Sequence, residues 1–107
     1  QVYNARAIGI FPGVSDLIFF EYLKELQQFR LVGIEVKEPG SRHKKDHIEQ
    51  QIEWAKILVN QGGEWILVRD VFGALDFIIN GNVSKNSLSI SQVEEMLLKR
   101  KTKTIQF

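Results

Sequence analysis

The stretch Leu31–Lys37, LVGIEVK, constrains this chain more than any other. It alternates strictly. Val32, Ile34 and Val36 fall on one side of an extended segment, and Gly33, Glu35 and Lys37 on the other. The neighbouring segments are strongly apolar, so the spacing predicts a central strand covered on both faces. A covered face is a poor place for idle charges, because an unpaired buried charge is costly. Glu35 and Lys37 are therefore either a solvated ion pair on an exposed face or part of a site.

The flanking sequence supplies the other elements. Gln1–Asn4 reads as a short strand, Ala5–Gly13 as a loop, and Val14–Phe20 as a β-branched and aromatic strand. Glu21–Phe29 carries Leu, Lys, Glu and Gln, and fits a short helix or a long hairpin tip. Glu38–Lys45 is a loop. Asp46 with Glu49 predicts a capping box opening a helix that runs to Asn60 and stops at Gly62-Gly63. Its apolar stripe is Ile48, Ile52, Ala55, Leu58 and Val59. Glu64–Arg69 reads as a strand, Val71–Ile79 as a helix weakened by Gly73, and Asn80–Asn82 as a turn. Ser91 and Glu94 predict a second capping box and a helix to Lys101, with Thr102–Phe107 a last strand or a tail. This order predicts an α/β sheet with helices packed on it.

Composition narrows the class. Hydrophobic residues make up 44% and charged residues 25% of 107 residues, the balance of one ordinary globular domain. A formal net charge of +1 excludes a grip on nucleic acid by bulk charge, so any such surface must come from local clustering. There is no cysteine, which excludes disulfides, thiolate zinc sites and cysteine nucleophiles. No apolar run approaches a membrane span and no signal-peptide pattern opens the chain, so no membrane partner and a cytoplasmic location are expected. The chain does not begin with Met, and a natural protein extending further upstream is expected.

Three further features bear on chemistry. Asp16 is the lone charged residue between Ala7 and Phe20; it either caps a turn or offers a second carboxylate beside Glu35. Two close carboxylates raise each other's pKa unless a cation sits between them. Gln51 interrupts the apolar stripe of its helix, and an inward amide needs a partner: a backbone group of the sheet, or the site. Arg42, His43, Lys44, Lys45 and His47 cluster just after the E-x-K strand, where phosphate contact is expected if the surface is more than solvated loop. Two histidines without cysteine do not make a zinc site. Arg6 and the tail cations Lys99, Arg100, Lys101 and Lys103 are weaker candidates.

The runs GVSDLIFF, GIEVKEPG, QIEWAKIL and NQGGEWILVRDVFGAL together resemble the virus-type replication-repair nuclease (VRR-NUC) domain of the PD-(D/E)xK nuclease superfamily. The resemblance spans roughly Gly13 to Ile79. It implies a restriction-endonuclease-like fold, a mixed central sheet flanked by helices. It implies catalytic roles for Asp16, Glu35, Lys37 and Gln51. A metal, Mg2+ with Mn2+ able to substitute, would be held by Asp16, Glu35 and the Val36 carbonyl. Arg42, His43, Lys44, Lys45 and Arg6 would contact DNA. Two departures stand out: no Asp or Glu precedes Asp16, where the family carries an acidic upstream helix, and Ser15 replaces the Pro of the superfamily's name.

The function implied is metal-dependent endonucleolytic hydrolysis of DNA, with branched or Holliday-junction DNA as candidate substrates. The alternative is a non-catalytic nucleic-acid-binding or assembly module on the same fold. Residues 1–79 would be the nuclease core, without the upstream helix, and 80–107 a C-terminal appendix. The appendix carries Leu88, Ile90, Val93, Leu97 and Leu98, more apolar surface than a solvated tail needs, so a homodimer is expected.

Overall fold

The computed structural model describes residue 13 and residues 15–83 and 87–107. The expected strand Gln1–Asn4, almost all of the loop Ala5–Gly13, and Arg6 lie outside them. The described chain is a mixed α/β fold. Its main sheet has three strands: β1 (Leu17–Leu23), β2 (Gln28–Val36) and β4 (Glu64–Val68), in the order β1-β2-β4. β2 is central as its alternation required, antiparallel to β1 and parallel to β4. The parallel step is made by α1 (Lys45–Asn60), in keeping with the long crossover that a parallel pair needs.

Both faces of β2 are covered. Val32 and Ile34 pack with Ile66 and Val68 against Ala74 and Phe77 of α2 (Val71–Asn80). On the other face α1 lays Ile48, Ile52, Ala55 and Leu58 over Trp65 and Leu67. Val59, expected in that stripe, is exposed. Gly33 lies under α1 because nothing larger fits: a Cβ there would come within 2.7 Å of the Ser15 hydroxyl and 2.9 Å of the Trp54 ring.

Glu21–Phe29 takes the second of its two readings, a hairpin tip rather than a helix. β1 runs to Leu23, a turn follows, and β2 begins at Gln28. Gln27 adopts a positive φ of 50°, the conformation the tight return demands. Part of Glu38–Lys45 is not loop: Arg42–Lys44 forms β3, antiparallel to β5 (Thr104–Gln106). The α1 N-cap is Lys44, without a side-chain cap, and Asp46 lies inside the first turn. The Lys45 N–H donates instead to the Lys103 carbonyl at 2.9 Å, so tertiary pairing sets the helix start. The helix does end at Asn60, with Gly62 at φ 88°.

The last helix, α3 (Ile90–Lys99), opens on a capping box of Ser89 and Gln92 rather than Ser91 and Glu94. Leu88 exchanges two backbone hydrogen bonds with Leu67, which pins the preceding residue as extended chain and lets the helix begin immediately after it. Val93, Leu97, Ile105 and Phe107 join the same core as Ile48 and Ile52. Much of the apolar face of the described part of this segment is thus covered within the chain, although Val83 and Leu98 are exposed. Of the residues that suggested a partner there, Leu98 alone is fully exposed, Leu88 and Ile90 being partly buried. Among the described residues no helix is long and apolar enough to cross a membrane.

Candidate active site

The β1–β2 register pairs Leu17 with Ile34, and one step further places Asp16 opposite Glu35. Directly opposed residues project to the same face of an antiparallel pair, so the two acids meet beneath α1. Asp16 is fixed by its own backbone context: its Oδ2 accepts the Val36 N–H at 3.0 Å. Asp16 is solvent-exposed, whereas Glu35 is fully buried.

Glu35 is asymmetrically served. Its Oε1 accepts from Gln51 Nε2 at 3.0 Å and lies 3.5 Å from Lys37 Nζ. Its Oε2 is buried and, with Glu35 ionised, accepts no hydrogen bond; once protonated, the Glu35 carboxyl is within hydrogen-bonding reach of the Asp16 carboxylate. Gln51 therefore reaches the site rather than the sheet backbone. It spends its amide N–H there, and its buried Oε1 also has no partner. Lys37 is itself buried, and its backbone N–H is held by the Val68 carbonyl at 2.9 Å.

Burial above all, and then the neighbouring Asp16 carboxylate, push the Glu35 carboxyl up to about 7; Lys37 opposes the shift without cancelling it. Near neutrality Glu35 is therefore held between its protonated and ionised forms. Among the described residues, the buried side-chain oxygens without a hydrogen-bond partner are Glu35 Oε2, Gln51 Oε1 and the Ser15 hydroxyl. Because a strand residue presents its N–H and C=O to the same edge, the Val36 carbonyl lies on the Asp16 side. Among the described residues no group of three or more His, Asp or Glu that could hold a metal ion is gathered; Asp16 and Glu35 are the carboxylates that meet here.

Ser15 was visible in the sequence only as a replacement for proline. Its hydroxyl is buried, without a hydrogen-bond partner, and close over Gly33. The missing side chain at Gly33, in an otherwise filled strand, was the available signal. Further along, Arg42 and Lys44 are exposed on β3, while His43 turns inward, its ring 5.7 Å from that of Phe107. Burial first, and then the charge of Lys37, hold the His43 imidazole below its ordinary value, so the ring lies within the field of the site. Lys45 is half-buried, and its ammonium is tied to the Arg100 carbonyl.

No protein-family model, curated protein or solved structure matches the chain.

Proposed function

We propose that the chain is a metal-dependent nuclease of the PD-(D/E)xK type, with a restriction-endonuclease-like core of the VRR-NUC kind, hydrolysing DNA phosphodiester bonds. The observation that carries this reading is the convergence of Asp16, Glu35, Lys37 and Gln51 on one point, with a buried carboxylate oxygen left open beside a second carboxylate. A buried open acceptor is expensive, and a cation relieves it. The donors are all oxygen: Asp16, Glu35 and the Val36 carbonyl, with Gln51 Oε1 adjacent. Two carboxylates completed by neutral oxygens, water and substrate phosphate suit Mg2+, and Mn2+ in its place.

When bound, such an ion supplies Lewis-acid polarisation of the phosphate and a lowered pKa for the attacking water. The chain's own residues do the rest. Gln51 fixes the Glu35 carboxylate through Oε1, and the Val36 N–H fixes Asp16, so both acids are oriented before substrate arrives. Lys37 holds a positive charge beside Glu35, where negative charge grows on the phosphoryl oxygens as water adds and one P–O ester bond breaks. The products are a phosphomonoester and a free hydroxyl. Branched and Holliday-junction DNA are the substrates to try beside linear duplex.

The test is a Mn2+ titration followed by calorimetry, together with Mg2+-dependent cleavage of linear, flapped and four-way DNA. Wild type should bind the ion and cut at least one of these, while Asp16→Asn and Glu35→Gln should do neither. A wild-type protein that binds DNA but takes up no Mn2+ and cuts nothing would establish the non-catalytic binding module instead.

A further inference from the structure

The β3–β5 ribbon joins two basic segments that lie more than fifty residues apart in sequence. Arg42, Lys44, Lys45, Lys99, Arg100, Lys101 and Lys103 are half of the chain's 14 lysines and arginines. Pairing of β3 with β5, and the bond from Lys45 N–H to the Lys103 carbonyl, bring them to one place. Lys44, Lys45, Lys101 and Lys103 line a single open pocket in which Asp46 is the one acidic side chain.

Most of these charges lack an acidic partner. Arg30, Lys37, Lys56 and Lys99 each hold a carboxylate. Arg42, Lys44, Arg100, Lys101 and Lys103 hold none among the described residues. Like charges gathered without counter-ions repel, and such an arrangement is relieved by an external polyanion.

From these observations we infer that the outer face of the β3–β5 ribbon and the segment Arg100–Lys103 form a sequence-independent track for the phosphates of double-stranded nucleic acid, leading to the Asp16–Glu35 site. The inference rests on the nuclease reading for its direction. The track starts at Arg42, five residues after Lys37 across the tight Glu38–Ser41 turn, and the next residue, His43, turns inward with its ring 3.0 Å from the Ser41 hydroxyl. A duplex fits better than a single strand, because single strands are held largely by stacking on exposed rings. The rings here, His43 and Phe107, are turned against each other. Of the exposed aromatics, Phe20, Tyr22 and Phe29 sit on the β1–β2 hairpin, which runs away from Asp16, and Phe72 is a single ring at the start of α2 rather than one of a row along the ribbon. What the track offers is ammonium, guanidinium and hydroxyl groups, which position a backbone without reading bases.

The experiment measures binding to a DNA duplex of about 20 base pairs in EDTA, where no cutting interferes, across roughly 50 to 200 mM salt. Wild type should show a log–log salt slope of roughly −3 to −5, the value for the unpaired cations if most contact phosphate. The double variant Lys101→Gln/Lys103→Gln should bind roughly tenfold to a hundredfold more weakly, with the slope reduced in magnitude by about 2. Lys24→Gln, at the hairpin turn, should leave both unchanged. Circular dichroism of each variant guards against misfolding, and Lys44→Gln offers a second route to the same loss. Unchanged affinity and slope in the folded double variant would overturn the track. So would a loss confined to phosphatidylserine vesicles with duplex binding intact, which would assign the patch to a membrane surface. If wild type binds duplex as expected but neither takes up Mn2+ nor cuts, the nuclease reading fails while the track stands.

Discussion

At the scale of single residues, the candidate site depends on one side chain being served unevenly. Glu35 is buried with one oxygen bonded and the other without a partner, and among the described residues Lys37 is its cationic neighbour, at 3.5 Å. Glu35 and Lys37 were legible in the sequence because strand alternation put both charges on a face that had to be covered. Gln51 was legible as an amide inside an apolar stripe, but its partner was not, since that depends on how α1 is rotated over β2. Lys37→Ala should reduce Mg2+-dependent cleavage by at least about a hundredfold, the scale of losing one charge-stabilising group. Duplex affinity should change by no more than a few-fold, because the unpaired cations of the ribbon are untouched. Near-normal cutting by the folded variant would remove Lys37 from the mechanism. Gln51→Ala should weaken Mn2+ binding by about tenfold to a hundredfold while leaving DNA affinity intact, as expected for a residue that orients a ligand. An unaltered calorimetric titration would reduce Gln51 to a packing role.

At the scale of elements, sequence and structure agree where the signal is local. β2, α1 and β4 follow from alternation, a 3.6-residue stripe and the Gly62-Gly63 stop. The hairpin could not be separated from a short helix because its turn contains no glycine or asparagine, and Gln27 takes the positive φ instead. β3 and β5 were obscure because each is three residues long and forms only by pairing with the other across the chain. The α3 capping box shifted by two residues for a similar reason, since the backbone exchange between Leu67 and Leu88 fixes where the helix can begin. The appendix reading also misses a tertiary fact: Ile105 is 1% exposed and packed into the core beneath α1. Ile105→Ala should therefore cost about 2–5 kcal/mol in global stability, as for other buried large-to-small changes. Urea unfolding should remain a single transition with a lower midpoint. A two-step curve, or a loss below about 1 kcal/mol, would show that β5 is detachable from the rest.

At the scale of the whole molecule, a net charge of +1 conceals segregation: a buried Glu35 near the end of β2 with the exposed Asp16 carboxylate beside it, and basic residues without acidic partners gathered on the β3–β5 ribbon. The acidic pair couples global stability to pH with a definite sign. The Glu35 carboxyl titrates near 4.5 in the unfolded chain and at about 7 in the folded one. Between those values the folded state binds more protons. Its contribution is therefore fully present below about 4.5 and is lost as pH rises through about 7, a decline on the order of 3 kcal/mol from this group alone. A divalent cation competes with the same proton, so its effect has the opposite slope. An ion binding only the folded state adds about 2.7 kcal/mol at a hundredfold excess over its dissociation constant, enough to raise the melting temperature of a domain this size by roughly 10 °C or more. Thermal melts in EDTA should show Tm falling from pH 5 toward pH 8, while the increment from added Mn2+ should grow over the same range. Glu35→Gln cannot ionise, so it should flatten the first dependence and remove the increment. A Mn2+ increment that persists in Glu35→Gln, or that shrinks as pH rises in the wild type, would separate the cation from the Asp16–Glu35 pair.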